Sequence, residues 1–135
     1  VPIHGIGFQM HVSLTWPDIS QIRDSFALAV TTGLKIKITE LDIAVNTDRS
    51  RNPMSLTQFT SAVAIQQRER YEAIVEAYMD EVPIAQRGGI SVWGIADPEN
   101  WLRRYNALEW PLLFDDDFEP KPALQGFADG LAEDD

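Results

Sequence analysis

Residues 34–43, LKIKITELDI, set the expected architecture of this chain. Apolar and polar side chains alternate along them, with a period of two residues that predicts a β-strand. Glu40 and Asp42 are separated by one residue near the end of the stretch, so a strand places both carboxylates on one face. The stretch therefore predicts a strand whose carboxyl end carries two acidic side chains.

Two further runs predict strands, at residues 3–11 and 90–95, and helical patterns separate the three. Strands that alternate with helices form a parallel sheet through right-handed crossovers, so the predicted class is α/β. Ligands of such folds bind at the carboxyl ends of the strands. We therefore expect function at that end, which holds Gln9, His11, Glu40, Asp42 and Trp93.

Apolar spacing and capping residues predict three helices. The first follows Asp18 and ends before Gly33. The second covers residues 56–82, with Ser55 as its N-cap. The third begins at about residue 122, and its expected buried side chains are Leu124, Phe127 and Leu131.

Two short signals flank the third strand. Residues 87–89, Arg-Gly-Gly, predict a turn into it, and they lack the spacing of a phosphate-binding loop. Asp97 and Pro98 predict an N-cap followed by proline at the first helical position. The short helix that they open is expected to bring Trp101 near the exit of the strand.

Composition excludes several classes of protein. The chain has 135 residues and a formal net charge of −10, which argues against a nucleic-acid partner and against an anionic membrane surface. It has no cysteine, so disulfides, thiolate metal sites and cysteine nucleophiles are excluded. There is no run of about 18 apolar residues that could cross a bilayer, and the sequence contains no recognisable signal peptide.

The pair of carboxylates has two interpretations. Burying a carboxylate costs free energy unless it is paired, and one at a strand end can act as a nucleophile or general base beside an orienting neighbour. Alternatively, the pair lies at an exposed strand end or forms salt bridges with Lys35, Lys37 or Arg49. Spacing alone leaves both interpretations open.

His11 lies two residues after Gln9, so an unbroken strand places both side chains on one face. An imidazole between two carboxylates would be held in one tautomer, and the alternative is a core histidine with satisfied hydrogen bonds. His11, Glu40 and Asp42 could bind iron or zinc, but no second histidine is placed to help, because His4 is expected at the surface. No metal site is predicted.

Tryptophan is frequent for a chain of this length, with Trp16, Trp93, Trp101 and Trp110. Indole faces stack on sugar rings and present a polar edge. The alternative is ordinary packing in the core and at its rim. Their number is therefore compatible with a carbohydrate site without requiring one.

Four stretches of the chain, in this order, resemble the C-terminal part of glycoside hydrolase family 10, the endo-1,4-β-xylanases. They read VPIHGIGFQMH at residues 1–11, ITELDI at 38–43, SVWGIADPENWL at 91–102 and PLLFDDDFEPKPA at 111–123. ITELDI followed by VWG and PLLF is far more specific than any single motif above. The resemblance implies a partial (β/α)8 barrel, roughly its sixth to eighth strands, and makes residues 1–135 the C-terminal segment of an incomplete catalytic domain.

The resemblance also implies roles for single residues. Glu40 corresponds to the catalytic nucleophile, His11 to its hydrogen-bond partner and Asp42 to the carboxylate that fixes His11. Gln9, His11, Trp93 and Trp101 correspond to residues around the reacting sugar. The family hydrolyses xylan with retention of configuration and needs no cofactor, and it implies a secreted or periplasmic protein.

The chain departs from the family in its length. A (β/α)8 barrel takes about 250 residues, and this chain supplies about half of that. The family's acid/base glutamate lies in a WDVVNE-like stretch that is absent here, so we expect the chain alone to be inactive or nearly so. Expected partners are xylan or xylo-oligosaccharides, and either the N-terminal half of the barrel or a second copy of the chain. The alternative function is a non-catalytic carbohydrate-binding or assembly module.

Overall fold

The computed structural model describes residues 1–47, 54–105 and 108–132. Within them, parallel strands alternate with helices as predicted. The strands are β1 (Gly5–Phe8), β2 (His11–Ser13), β3 (Lys35–Ala44) and β4 (Arg87–Val92). The helices are α1 (Ile19–Val30), α2 (Ser61–Glu81) and α3 (Pro122–Leu131), with short 3₁₀ helices at Ile84–Gln86, Asp97–Glu99 and Trp101–Tyr105. Within these ranges, the helices do not combine the length and the apolar character that a membrane span requires.

β3 is the central strand, because β1, β2 and β4 all pair with it in parallel. The pairing of β1 ends at Phe8 opposite Ile38, and that of β2 begins at His11 opposite Asp42. Between these two pairs the chain runs three residues, from Phe8 to His11, on one side and four residues, from Ile38 to Asp42, on the other. β3 therefore holds one extra residue at this point. From this register we infer that β1 and β2 are two parts of one interrupted strand.

The interruption corrects the prediction of a continuous strand over residues 3–11. It falls at Gln9 and Met10, and Met10 has a φ of 67°. A residue in this left-handed region breaks the alternation of an extended strand. The argument that placed Gln9 and His11 on one face by a period of two therefore does not hold.

The core lies between the sheet and helices α1 and α2. Four β3 side chains are fully buried in it, namely Ile36, Ile38, Leu41 and Ile43. The buried positions change from even to odd numbers where β3 holds its extra residue. Because neighbouring side chains of a strand point to opposite faces, Glu40 and Asp42 lie on the face away from the core.

β4 begins and ends earlier than the predicted strand at residues 90–95. The Arg-Gly-Gly sequence that predicted a turn forms the first half of this strand. A Cβ atom at Gly88 would lie 3.1 Å from a β3 carbonyl oxygen, so the two strands approach closely there. The Tyr78 hydroxyl of α2 accepts hydrogen bonds of 3.1 Å from the amides of Gly88 and Gly89. Gly88 and Gly89 therefore allow β4 to pair closely with β3 and do not form a turn.

α2 begins at Ser61, later than predicted, and its N-cap is Thr60 rather than Ser55. The Thr60 hydroxyl accepts a hydrogen bond from the amide three residues on, at 3.3 Å. Leu56 cannot join the helix, because its N–H and its carbonyl are both bound by the Asn46 side chain at 2.8 Å. A contact distant in sequence therefore overrides the local capping signal.

α3 packs against α2 through small residues. The buried residues of α3 are Ala123, Gly126 and Gly130. The large side chains predicted to be buried contribute less, since Leu124 and Phe127 are half-buried and Leu131 is 42% exposed. A Cβ atom at Gly126 would lie 2.2 Å from the backbone oxygen of Arg68 in α2. Glycine is what allows the two helices to touch at this position.

Asp97 lies within its 3₁₀ helix and is not the predicted N-cap. It is 1% exposed, and its Oδ1 accepts a hydrogen bond of 2.8 Å from Leu112 N. Its Oδ2 lies 2.9 Å from Lys121 Nζ, an ion pair without hydrogen-bond alignment. Lys121 Nζ also donates to the carbonyls of Trp110 and Leu112. The buried ion pair therefore ties the 3₁₀ helix at Asp97–Glu99 to the residue that precedes α3.

Candidate active site

The predicted site residues meet at the carboxyl ends of two neighbouring strand segments. His11 opens β2, and Glu40 and Asp42 occupy the last part of β3. The register pairs His11 directly with Asp42. The extra residue in β3 turns both carboxylates away from the core, as described above. Local backbone geometry thus brings the three side chains together.

The His11 imidazole lies between the two carboxylates. Nε2 is 2.7 Å from Glu40 Oε2, and Nδ1 is 2.9 Å from Asp42 Oδ1. The exposed fraction of the side chain is 14% for His11, 24% for Glu40 and 2% for Asp42. Glu40 is thus the carboxylate that solvent can reach, while Asp42 supports the ring from within.

The alternative interpretation was that Glu40 and Asp42 form salt bridges with nearby basic side chains, and the contacts of those side chains bear on it. Lys35, one of the predicted partners, donates from Nζ to the Ala85 carbonyl at 2.6 Å. Arg49 lies outside the described residues. The ion pairs that the described residues provide for Glu40 and Asp42 are those with His11.

Asp42 is held at both of its oxygens. Oδ1 faces His11, and Oδ2 accepts a hydrogen bond of 2.8 Å from Trp101 Nε1. Burial raises the pKa of Asp42 above its ordinary value, while the bonds from His11 and Trp101 act in the opposite direction. Asp42 therefore fixes an imidazole and an indole relative to each other.

Two of the four tryptophans frame His11. The ring centroid of Trp101 is 5.1 Å from that of His11, and the ring centroid of Trp93 is 6.4 Å from it. Trp93 follows β4 and is 47% exposed, so its indole is accessible beside the site. Trp110 is 7% exposed and packs in the interior, and Trp16 borders a separate groove. The tryptophans therefore divide between site and scaffold.

Gln9 adjoins the site through its backbone. Its carbonyl accepts a hydrogen bond of 3.0 Å from Glu40 N, and the residue is exposed. Met10 contributes in the same way, since its carbonyl accepts from Asp42 N at 3.3 Å. These bonds anchor the interrupted strand next to both carboxylates.

A cavity of about 410 Å³ opens on one side of these groups. Its lining includes His11, Asp42, Thr47, Trp101, Leu102 and Tyr105, and we name it the His11–Trp101 cavity. Tyr105 is 72% exposed, and its ring meets Trp101 edge-on at a centroid distance of 5.8 Å. The sequence predictions omitted Thr47 and Tyr105. Tyr105 follows Trp101 by four residues, and this helical spacing of aromatic residues was an available signal.

A metal centre finds no support in this geometry. Within residues 1–47, 54–105 and 108–132, no group of three or more His, Asp or Glu side chains is placed to hold a metal ion. Both ring nitrogens of His11 face carboxylates, so neither is directed at an open coordination position. What the arrangement offers chemically is the accessible carboxylate of Glu40, whose partner His11 lines a cavity with aromatic walls.

The sequence profile of Glycosyl hydrolase family 10 matches residues 1–130. The chain belongs to this family. It is 46% identical over 143 residues to Endo-1,4-beta-xylanase A and 44% identical over 140 residues to Endo-beta-1,4-xylanase Xyn10C, both from Cellvibrio japonicus. These family 10 matches cover 98% and 97% of the chain but 23% of each relative. The chain thus spans about a quarter of the length of these relatives.

Solved structures of family 10 agree with the fold. A Xylanase10C mutant from Cellvibrio japonicus in complex with xylopentaose superposes with a TM-score of 0.90 at 45% identity. The match covers 96% of this chain and 27% of that one. The predicted partial (β/α)8 barrel is thereby confirmed, as is the resemblance to the C-terminal part of the family.

Proposed function

We propose that this chain supplies the nucleophile side of a retaining endo-1,4-β-xylanase active site, with Glu40 as the nucleophile. The observation that carries the proposal is the position of His11, whose two ring nitrogens lie 2.7 Å from Glu40 and 2.9 Å from Asp42. Membership of family 10 and the names of the relatives supply the substrate class. The substrate is xylan or a xylo-oligosaccharide.

The chemistry proceeds in two displacements. Glu40 attacks the anomeric carbon, the bond from that carbon to the leaving oxygen breaks, and a second carboxyl protonates that oxygen. The second carboxyl then takes a proton from water, whose oxygen attacks the same carbon and releases Glu40. Configuration is retained because the carbon is inverted twice. No cofactor enters either step.

His11 and Asp42 orient and polarise the nucleophile. An ionised Glu40 is the reactive form, so the bond of 2.7 Å has His11 Nε2–H as donor and Glu40 Oε2 as acceptor. Asp42 Oδ1 accepts from Nδ1–H in the same way, so a ring that serves two ionised carboxylates carries a proton on both nitrogens, and Asp42 keeps it in this orientation. Trp93 and Trp101 supply aromatic faces for the reacting sugar, and Gln9 adds a polar contact at the same subsite.

The second carboxyl comes from polypeptide outside residues 1–135. The described glutamates other than Glu40 lie on α2 or beyond β4, and Glu109 is engaged in hydrogen bonds to backbone amides. We therefore expect the chain alone to be inactive, and to require the preceding part of a barrel. Xylan is a polymer outside cells, so we place the parent protein in a secreted or periplasmic location.

A chimera tests the proposal. In it, this chain replaces the matched segment of the Cellvibrio japonicus Endo-1,4-beta-xylanase A, to which it is 46% identical. We expect the chimera to release reducing sugar from xylan and the isolated chain to release none. Glu40→Gln should lower kcat by about 10⁴-fold or more, because the covalent step is lost. The exposed Glu76→Gln on α2 is the matched control.

Covalent labelling separates catalysis from binding. A 2-deoxy-2-fluoro xylobioside with a good leaving group should add one glycosyl mass to the peptide that contains Glu40. A folded chimera that binds xylopentaose but neither hydrolyses xylan nor becomes labelled would favour the non-catalytic module instead. Label on another residue would remove Glu40 from the assigned role.

A further inference from the structure

Glu109 is a buried carboxylate that takes no part in the proposed chemistry. It is 0% exposed, and it accepts hydrogen bonds from three consecutive backbone amides directly after β3. Oε1 is 2.7 Å from Val45 N, both oxygens are 3.0 Å from Asn46 N, and Oε2 accepts from Thr47 N. Successive amides that converge on an anion form a nest, and such charge-assisted bonds are strong.

The Asn46 side chain extends this contact to two other segments. Nδ2 donates to the carbonyls of Leu56 and Leu108 at 2.8 and 2.7 Å, and Oδ1 accepts from Leu56 N at 2.8 Å. We call Glu109, Asn46 and the amides of Val45 and Thr47 the Glu109 cluster. It binds the segment after β3 to the segment that follows Trp101 and Tyr105 in the chain.

The Glu109 cluster adjoins the site without entering it. Val45 is three residues after Asp42, and Thr47 lines the His11–Trp101 cavity together with Trp101. Glu40, His11 and Asp42 are held by strand pairing and by their own hydrogen bonds. The cluster therefore governs the position of one cavity wall, while the reacting groups have separate support.

We infer that Glu109 is a positioning residue for sugar binding: by holding the turn of residues 45–47, it sets the place of Thr47 relative to Trp101 across the His11–Trp101 cavity. Glu109 does not touch the sugar. The inference rests on the proposed function, since it takes the cavity to be part of the xylan-binding groove. A displaced wall weakens binding of the substrate and of the transition state equally, which raises KM and leaves kcat in place.

Glu109→Gln in the chimera tests the inference. Glutamine keeps the shape of the side chain but turns one acceptor oxygen into an NH₂ group that faces amide donors. We expect KM for xylopentaose to rise about fivefold to tenfold with kcat within about twofold. Asn46→Ala should act in the same direction, and the exposed Glu119→Gln is the matched control.

The outcomes separate this inference from the proposed function. Unchanged KM in both variants of an active chimera, or a fall in kcat without a rise in KM, overturns the role of Glu109 alone. If Glu109→Gln does not fold, Asn46→Ala decides by the same criterion. In an inactive chimera that binds xylopentaose, the dissociation constant replaces KM. A folded chimera that neither hydrolyses nor binds overturns both proposals.

Discussion

Asp97 illustrates how a single buried charge links stability to pH. Burial raises its pKa from 3.8 to about 6, although Lys121 and the bond from Leu112 N act in the opposite direction. As the pH rises from about 4 to about 6, the unfolded chain releases this proton while the folded chain retains it. The folded state therefore loses stability across this window, by about 3 kcal/mol in total.

Asp97→Asn removes this titration. The free energy of unfolding is compared between the unsubstituted chimera and its Asp97→Asn variant. We expect the difference, unsubstituted minus variant, to fall between pH 4 and 6.5. Urea denaturation at intervals across this range measures it, with the exposed Asp24→Asn as the control. A difference between the two proteins that stays constant with pH would show that Asp97 does not titrate in this range.

The residues of the site were predictable to different degrees. Glu40 and Asp42 could be placed on one face from spacing, and the pairing with His11 agrees with the idea of an imidazole between carboxylates. Glu109 could not be found this way, because its partners are backbone amides about sixty residues earlier in the chain. A sequence does not show which side chain a backbone amide contacts, so the Glu109 cluster could be identified only in the structure.

Elements were predicted best where local signals act alone. α1 follows Asp18, whose N–H donates to Gln21 Oε1 at 3.2 Å, and it ends before Gly33, which has a φ of 74°. The start of α2 was misplaced because the Asn46 side chain competes for the backbone of Leu56. The extra residue in β3 had a visible signal, since its apolar positions change from even to odd numbers.

The contact between α2 and α3 depends on glycine. Gly126→Ala places a methyl group where the Arg68 carbonyl oxygen lies, and backbone atoms on both helices must then separate. We expect a loss of about 2–3 kcal/mol in the free energy of unfolding of the chimera, despite the better helix propensity of alanine. The exposed Ala128→Ser on the same helix is the control. Equal or higher stability of Gly126→Ala would contradict the close approach.

At the scale of the whole molecule, the sheet remains open. The structure is part of a barrel, and β1 and β4 each pair with β3 on one side in the described residues. Unpaired strand edges and apolar surface favour association with another chain. Trp93, Ile95 and Phe118 are among the large apolar side chains that the described chain exposes.

We therefore predict that the isolated chain associates with itself in solution. Size-exclusion chromatography with light scattering should give a mass above 15.2 kDa that rises with protein concentration. The same measurement on the chimera, in which the sheet can close, should give a monomer. A stable monomer of the isolated chain at high concentration would contradict the prediction, because the formal net charge of −10 would then suffice to keep the open surfaces apart.

The central position of β3 also determines which strand is the last to open. β3 has neighbours on both sides, whereas the other strands pair only with β3 among the described residues. Fraying starts at edges, so amide hydrogens of β3 should exchange with solvent deuterium last. Glu40 and Asp42 therefore lie on the strand that is expected to exchange most slowly. The spacing between them is kept when the neighbouring strands open transiently.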